Sequence, residues 1–570
     1  MCGIVGFIDK KNKFGKEKKE AFVGGMLDLI QHRGGDATGV ISIKNITIGH
    51  TRLSIVDTSK NADQPFVNDN FILSYNGEIY NHNVPRKKYL AGKDLVSSSD
   101  TSTLFEILQI CQIEEVLKMI KGMYAFSFLD IKKQSLVLAL DKMAIKPLYF
   151  LDTPEYFAWA SEIKSFSALP DFQFRLEEEK LFEHMVFRHI SDEKTLFKNI
   201  FKIQQGEYLD YSLKSNTYIK NKYFELEKVG SKKQNIENIL TESVKSHLMS
   251  DAPVGIQLSG GIDSSVVSYI AQKNSPIALH SFSIGLNDSE WNEFKYSDFV
   301  AKELGTIHHK IIFTKKDFVD NFEKITYHLD GPIVHPNTVP MYLLAKFARK
   351  YVKVLLTGEG ADEIFLGYKR YVQKDINNDD DLLLSNAFSD PVMISKILKM
   401  PRGSLSERKQ FVQKTAELSR EYRLSFYDMN TYLPHVLLRQ DKAGMAANIE
   451  NRVPFLYESV IEAGYNLDTK IGDLGEKTPI KEIALKYFPS DFVLRKKCGF
   501  GLPISEWIKD DCVLLPYLSR LKESKLVLEY FDWEVVKKLI DEHLTGVNDH
   551  SVILFSIIGL DVWYNIFCKQ

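Results

Sequence analysis

Cysteine is scarce in this chain: five among 570 residues, at positions 2, 111, 498, 512 and 568. The number is odd and the spacing irregular, which excludes a disulfide framework and leads us to expect a reducing, cytoplasmic setting. Net charge is almost absent, −2 from 73 basic and 75 acidic residues. The electrostatic footprint of a nucleic-acid binder is therefore missing. Long apolar runs are missing too. The longest candidate, Val552 to Ile558, stops at Gly559 and reads as a buried helix, so no membrane partner is expected. The opening residues Met1 to Phe7 are apolar but lack the basic leader of a signal peptide. What remains, 44% hydrophobic and 26% charged residues, is the composition of a globular protein long enough for two or more domains.

The most informative stretch is Ser259-Gly260-Gly261-Ile262-Asp263-Ser264-Ser265. A short apolar run ending at Leu258 reads as a buried strand, and Val266 to Ala271 continues as a helix. Glycines at such a junction let the backbone approach a ligand, and the free N–H groups of the helix start attract phosphate. The pattern is not a Walker loop, which needs Gly-Lys-Ser/Thr. It resembles the pyrophosphate loop of ATP pyrophosphatases. That resemblance implies ATP as substrate, bound by Leu258, Ser259, Gly260, Gly261, Asp263, Ser264 and Ser265, with Mg2+ on Asp263.

Cys2 follows the initiator methionine. Once methionine is removed, a terminal cysteine carries a nucleophile and a base together, because its α-amine titrates near pH 7.7–8.0, roughly. Further blocks follow in order: His32-Arg33-Gly34-Gly35-Asp36, His50 to Asp57, Gln64-Pro65, Tyr75-Asn76-Gly77-Glu78, Ser99-Asp100-Thr101 and Ala158 to Lys164. Asn-Gly alone would mark only a hairpin turn. Together the blocks resemble the class II glutamine amidotransferase domain, an α+β N-terminal-nucleophile sandwich of two antiparallel sheets between helix layers (αββα). The resemblance implies an oxyanion hole from the Asn76 amide and the Gly77 N–H. It assigns Arg52 to the glutamine α-carboxylate and Glu78 and Asp100 to the α-ammonium, with Leu53 beside them. Gly35, Ser102 and Leu140-Asp141-Lys142-Met143-Ala144 depart from the family pattern, where Ala144 replaces a usual glycine.

From Asn235 strand-like and helical runs alternate, as in an α/β domain with a parallel sheet. Ligands there bind beyond the carboxyl ends of the strands. Thr357-Gly358-Glu359-Gly360-Ala361-Asp362-Glu363 follows such a strand. It resembles a segment of glutamine-dependent asparagine synthetases, as do Glu450 to Leu456 and Arg495 to Phe500. By that likeness Glu359 handles incoming ammonia, Asp362 holds Mg2+-ATP, Thr357, Gly358 and Ile284 line the nucleotide, and Lys497 neutralises charge on phosphorus. His308-His309 reads as structural rather than metal-binding.

The expected organisation is a glutaminase domain over 1–215, a linker over 216–234 and an ATP-pyrophosphatase-type synthetase domain over 235–570. The expected reaction amidates a carboxylate through an acyl-adenylate and channelled ammonia, and a homodimer is a family-based expectation. Aspartate is the first acceptor reading. Gly331, His335 and Asn337 stand where many members carry Glu, Asp and Ser, so a nucleotide-sugar uronic acid is the second. An inactive paralogue serving as a binding module is the third.

Overall fold

The computed structural model describes residues 2–228, 235–287, 292–373, 376, 378–400, 403–496 and 501–569. Its strands, in chain order, are β1 (Gly3–Asp9), β2 (Ala37–Ile43), β3 (Ile46–Arg52), β4 (Phe66–Val67), β5 (Phe71–Ile79), β6 (Gly122–Asp130), β7 (Ser135–Leu140), β8 (Tyr149–Asp152), β9 (Tyr156–Ala160), β10 (Ile200–Lys202), β11 (Glu207–Ser212), β12 (Thr217–Lys222), β13 (Val254–Gln257), β14 (His280–Leu286), β15 (Ile307–Phe313), β16 (Val354–Leu356) and β17 (Glu450–Arg452).

The first twelve strands make two antiparallel sheets, ordered β10-β8-β9-β1-β3-β2 and β12-β11-β7-β6-β5-β4. The sheets pack face to face through Ile4, Ile48, Ile72, Leu129, Leu138 and Trp159. The outer face of the first carries Val23, Met26 and Leu27 of the helix Lys16–Asp28. The second carries Leu104, Ile107 and Leu108 of the helix Asp100–Ile110. Every residue of β1 is buried because both its faces are covered, which explains its unbroken apolar run. The expected αββα sandwich is present.

Two expectations change. Residues 217–222 were expected in the linker but form the edge strand β12, paired with β11 from Glu207↔Lys222 to Ser212↔Thr217. Its polar, lysine-bearing composition is what an exposed sheet edge carries, and that composition mimics a linker. Residues 102–119, whose apolar spacing alone reads as one amphipathic helix, form two helices, Asp100–Ile110 and Ile113–Met119, broken where Cys111 is extended.

The second half builds a five-stranded sheet, β15-β14-β13-β16-β17, parallel throughout. Helices such as Ile262–Lys273 and Thr338–Ala348 cover it. The carboxyl ends of β13, β16 and β17 deliver Leu258, Thr357 and Val453 to one edge. Val552 to Ile558 lies within the helix Ser551–Phe567. Among the described residues no helix is long and apolar enough to cross a membrane.

A seam of buried charge joins the two halves. Arg33 donates to Glu162 and to Asp441, each at 2.9 Å, and Lys146 reaches Asp441 at 3.3 Å. Asp330 accepts from Lys164 at 2.9 Å and from Lys442 at 2.8 Å. All of these side chains are buried. Near this seam Asp141 accepts four backbone N–H groups, from Tyr124, Met143, Ile145 and Lys146. The turn that makes this possible puts Ala144 at φ +55°.

Left-handed backbone costs a non-glycine residue roughly 1–2 kcal/mol, more than the chain entropy that glycine adds. Ala144→Gly is therefore expected to stabilise the protein by about 0.5–1 kcal/mol, read as a higher first thermal unfolding transition. A lower transition would show that the strain argument fails at this turn.

Candidate active sites

The first centre lies where β1, β3 and β5 converge. Register Gly3↔Thr51 sets Cys2 beside Arg52. A cavity of about 30 Å3 there is lined by Cys2, Arg52, Leu53, Gly77, Glu78 and Asp100. Asn76 borders it by accepting the Cys2 backbone N–H on Oδ1 at 2.9 Å. The seven residues nominated for glutamine chemistry thus stand together. The other amide atom of Asn76, Nδ2, is buried without an acceptor among the described residues. A buried, unpaired N–H is costly unless something charged or polar meets it, and an oxyanion would. Gly77 is fixed by space: a Cβ would lie 2.2 Å from the Met123 carbonyl oxygen across the ladder.

The electrostatics are those of a closed pocket. Burial pushes the Cys2 thiol up, so its proton needs a nearby acceptor. Arg52 is held at the pocket wall by the Ser59 carbonyl at 2.8 Å and by Asp63 at 2.7 Å. Asp100 accepts from the Tyr75 hydroxyl at 2.6 Å and the Ile79 N–H at 2.9 Å. Burial, then Asp100, push the Glu78 carboxyl well above its usual range, although Arg452 donates to its Oε2 at 3.1 Å. Oε1 of Glu78 is buried and has no partner among the described residues, leaving it able to receive a cation.

The second centre lies at the carboxyl ends of β13 and β16. Gly260 has φ +84°, and a Cβ there would meet the Ser297 N at 2.8 Å. The helix Ile262–Lys273 starts after Gly261 with no side-chain cap. Its first-turn hydroxyls fold inward instead: Ser259 and Ser264 share a hydrogen bond at 2.9 Å, and Ser265 donates to the Gly261 carbonyl at 2.7 Å. Leu258 N–H bonds the Phe282 carbonyl at 2.9 Å, holding β13 to β14, on which Ile284 lies two residues further.

The Thr357 loop presses against that helix start. A Cβ on Gly358 would meet the Ser264 N at 2.9 Å, and Gly360 sits at φ +91°. Glu359 lies between these two glycines. Lys477 bridges the two loops, 2.5 Å from Asp263 and 2.6 Å from Asp362. Oδ1 of Asp263 is buried and has no hydrogen-bond partner among the described residues. Two carboxylates already gathered around one cation, one with an idle oxygen, fit the hard oxygen ligation of magnesium shared with phosphate. Next in sequence, burial and then Asp362 push Glu363 up to about 8, with the Tyr368 hydroxyl donating to it at 2.6 Å. Lys497 lies outside the described residues. His308 and His309 bond Ser281 and His280, and no metal-holding cluster of His, Cys, Asp and Glu occurs among the described residues.

Two family models account for the chain: a glutamine amidotransferase domain over residues 1–224 and asparagine synthase over 235–565. The chain belongs to the asparagine synthase family. It is accordingly a glutamine-dependent ligase. Asparagine synthetase [glutamine-hydrolyzing] 1 of Bacillus subtilis is 27% identical, over 99% of this chain and 97% of that protein. Asparagine synthetase B of Escherichia coli is 29% identical over 88% and 82%. A putative asparagine synthetase of Methanocaldococcus jannaschii is 31% identical over 65% and 76%.

Sequence reasoning quoted Glu450 and Arg452 but gave them no task. In the structure β17 carries Glu450 into the Cys2 pocket. Arg452 donates to Glu78 and, at 2.6 Å, to Glu450. Its carbonyl accepts the Thr357 N–H at 2.9 Å and the Thr357 hydroxyl at 3.2 Å. One residue thus touches both centres. The available signal was Glu450 and Arg452 two residues apart on one short strand, a spacing that puts both on one face but does not say what lies across it.

Removing one partner of a buried ionic cluster costs about 3–5 kcal/mol. Arg452→Met is expected to lower the first thermal transition and to cut kcat/KM for glutamine by about tenfold or more. Arg452→Lys restores part of both. Unchanged glutaminase activity in the methionine variant would remove Arg452 from the first centre.

Acid should act on two histidines near this cluster. Burial holds His50 and His247 down at about 3, against roughly 6.5 unfolded. A depressed folded pKa gives stability that is present above 6.5 and lost as pH falls toward 3. The loss approaches about 1.4 kcal/mol per pH unit per histidine. Unfolding midpoints between pH 7 and 4 check this, and His247→Gln should flatten the slope.

Proposed function

We propose that the chain is a glutamine-hydrolysing asparagine synthetase, converting ATP, L-aspartate, L-glutamine and water to AMP, diphosphate, L-asparagine and L-glutamate. The observation that carries the reading is the pairing of two pockets: Cys2 beside an idle Asn76 N–H, and Asp263 with Asp362 gathered on Lys477.

Methionine removal exposes the Cys2 α-amine, held at Asn76 Oδ1, where it accepts the thiol proton. The thiolate attacks the glutamine amide carbon. Asn76 Nδ2 and the Gly77 N–H meet the oxyanion. Arg52 orients the α-carboxylate, and Glu78 with Asp100 the α-ammonium. In the second centre Leu258 to Ser265 and Thr357-Gly358 seat ATP, with Ile284 on the base side. Asp263 and Asp362 would hold magnesium, which neutralises phosphate charge when bound. Glu359 orients ammonia toward the acyl-adenylate, and Lys497 balances charge on phosphorus. Adenylation is needed because a carboxylate oxygen is a poor leaving group.

A second acceptor reading rests on one observation: residues 331–340 contain no acidic side chain. The nearby wall therefore suits a more anionic acceptor, such as a nucleotide-sugar uronic acid.

Glutamate release by wild type beside Cys2→Ala tests the first centre. The variant should lose glutamine-dependent activity and keep activity with free ammonium. Equal release by both would end the role of Cys2. AMP release with ATP, magnesium and glutamine tests the acceptor, and aspartate should trigger it. Release with UDP-linked uronic acids alone would transfer the assignment to the second reading.

A further inference from the structure

One further cavity belongs to neither centre. About 160 Å3 in size, it lies between the two halves and is lined by Arg188, His335, His435, Arg439 and Lys202 among others. None of Cys2, Asp263, Glu359 or Asp362 reaches it. A single water needs only about 10–15 Å3 measured this way, so the space holds something larger.

Its walls are basic. Arg188 ends the short helix Leu181–Phe187 in a left-handed turn. His435 and Arg439, four residues apart, share one face of the helix Leu433–Met445. Lys202 ends β10, and His335 sits on the loop after Asp330. The hydrogen bonds of these cations go to neutral groups. Arg188 donates to the Val552 carbonyl at 3.2 Å, Arg439 to Asn337 Oδ1 at 2.9 Å, and Lys202 to the Ile190 carbonyl at 2.8 Å. The cavity's one acidic residue, Asp330, is already engaged by Lys164 and Lys442. Among the described residues, Nε of Arg188 and of Arg439, and Nε2 of His184, His335 and His435, are buried without partners.

Water can satisfy a neutral ring nitrogen, but it does not balance the two arginines, and Lys202 has only the charges of Asp192 and Glu183 set against its burial. Burial already bears on them, pushing Lys202 down to about 8 and Arg188 down to about 10, and holding His184 at about 4. A negative ligand would reverse that cost and draw protons onto the imidazoles, turning each idle Nε2 into a donor.

We propose that this interdomain cavity is a binding site for an anion bearing carboxylate or phosphoryl oxygens, seated between Arg188 and Arg439 and separate from both reaction centres. Arginine forks match either group bidentately. The site stands whichever acceptor the synthetase centre takes.

The test follows binding of inorganic phosphate, citrate or UDP-glucuronate, each alone, to the full chain by calorimetry and thermal shift. At least one should bind and raise the unfolding midpoint. Arg188→Gln and Arg439→Gln should each weaken that binding by about tenfold or more. ATP binding by the same variants should stay within about twofold of wild type. Arg439→Lys should recover much of the loss. Should Arg188→Gln fail to fold, Arg439→Gln, at a less buried position, carries the test. No binding by any of the three anions would overturn the proposal. So would binding that survives the substitutions, which would place the anion at the ATP loop instead.

Discussion

Buried charge in the seam is the constraint on which the rest of this structure depends. Taking an ion out of water costs several kcal/mol, and the cost is met only when partners are placed well. Arg33 is fully buried and meets Glu162, Asp441 and the Cys2 carbonyl at 3.0 Å. Arg452 is fully buried and meets Glu78 and Glu450. Neither arginine can be satisfied by one half of the molecule alone. Each half therefore supplies counter-charges that the other requires, and the relative placement of the halves is set to hydrogen-bond precision. A nonpolar seam would bind as strongly but would tolerate sliding, because apolar contact is non-directional.

That precision matters because the Cys2 pocket is built from both halves. Glu450 arrives from the parallel sheet, held by Arg452 and Lys146 at about 2 despite its burial. Its charge stands near Glu78, and Arg452, bonded to both, offsets part of the repulsion that with burial pushes Glu78 up. The same arginine's carbonyl fixes Thr357, at the start of the second centre's loop. A displacement of β17 cannot alter one centre and spare the other. Communication between the proposed glutaminase and synthetase sites has here a short covalent path: side chain on one end, backbone carbonyl on the other.

Much of this was legible because the chemistry tolerates few residue types. Cys2, Asn76, Gly77 and Glu78, and the loops at Ser259 and Thr357, are local strings, ambiguous singly but diagnostic together without knowledge of what packs against them. The αββα sandwich was legible only through the resemblance that those strings carry, since strand and helix patterns alone do not fix how two sheets stack. The seam was not. His32-Arg33, Lys164 and Glu450 to Arg452 were recognisable within motif blocks, yet a charged residue in a string reads as solvated until its partner hundreds of positions away is known. Arg33 and Asp441 are 408 residues apart. The strand β12 was missed for the converse reason: an edge strand needs a partner on only one side and wears the composition of a loop.

The departures from the family pattern sort by the same logic. Ala144 keeps the turn that its usual glycine would make, since Asp141 still gathers four N–H groups around it. Lys142, in the same string, finds Glu458 at 2.5 Å, so that charge is retained by a contact across the halves. Gly331, His335 and Asn337 behave differently. They remove acid from a segment that lines a cavity already bearing Arg188, Arg439 and Lys202. Nothing in the seam replaces the lost negative charge there, because Asp330 is spent on Lys164 and Lys442. Arg33, Arg452, Lys164 and Lys442 meet named carboxylates, whereas Arg188 and Arg439 hydrogen-bond neutral groups, and that difference is what the proposed anion would answer.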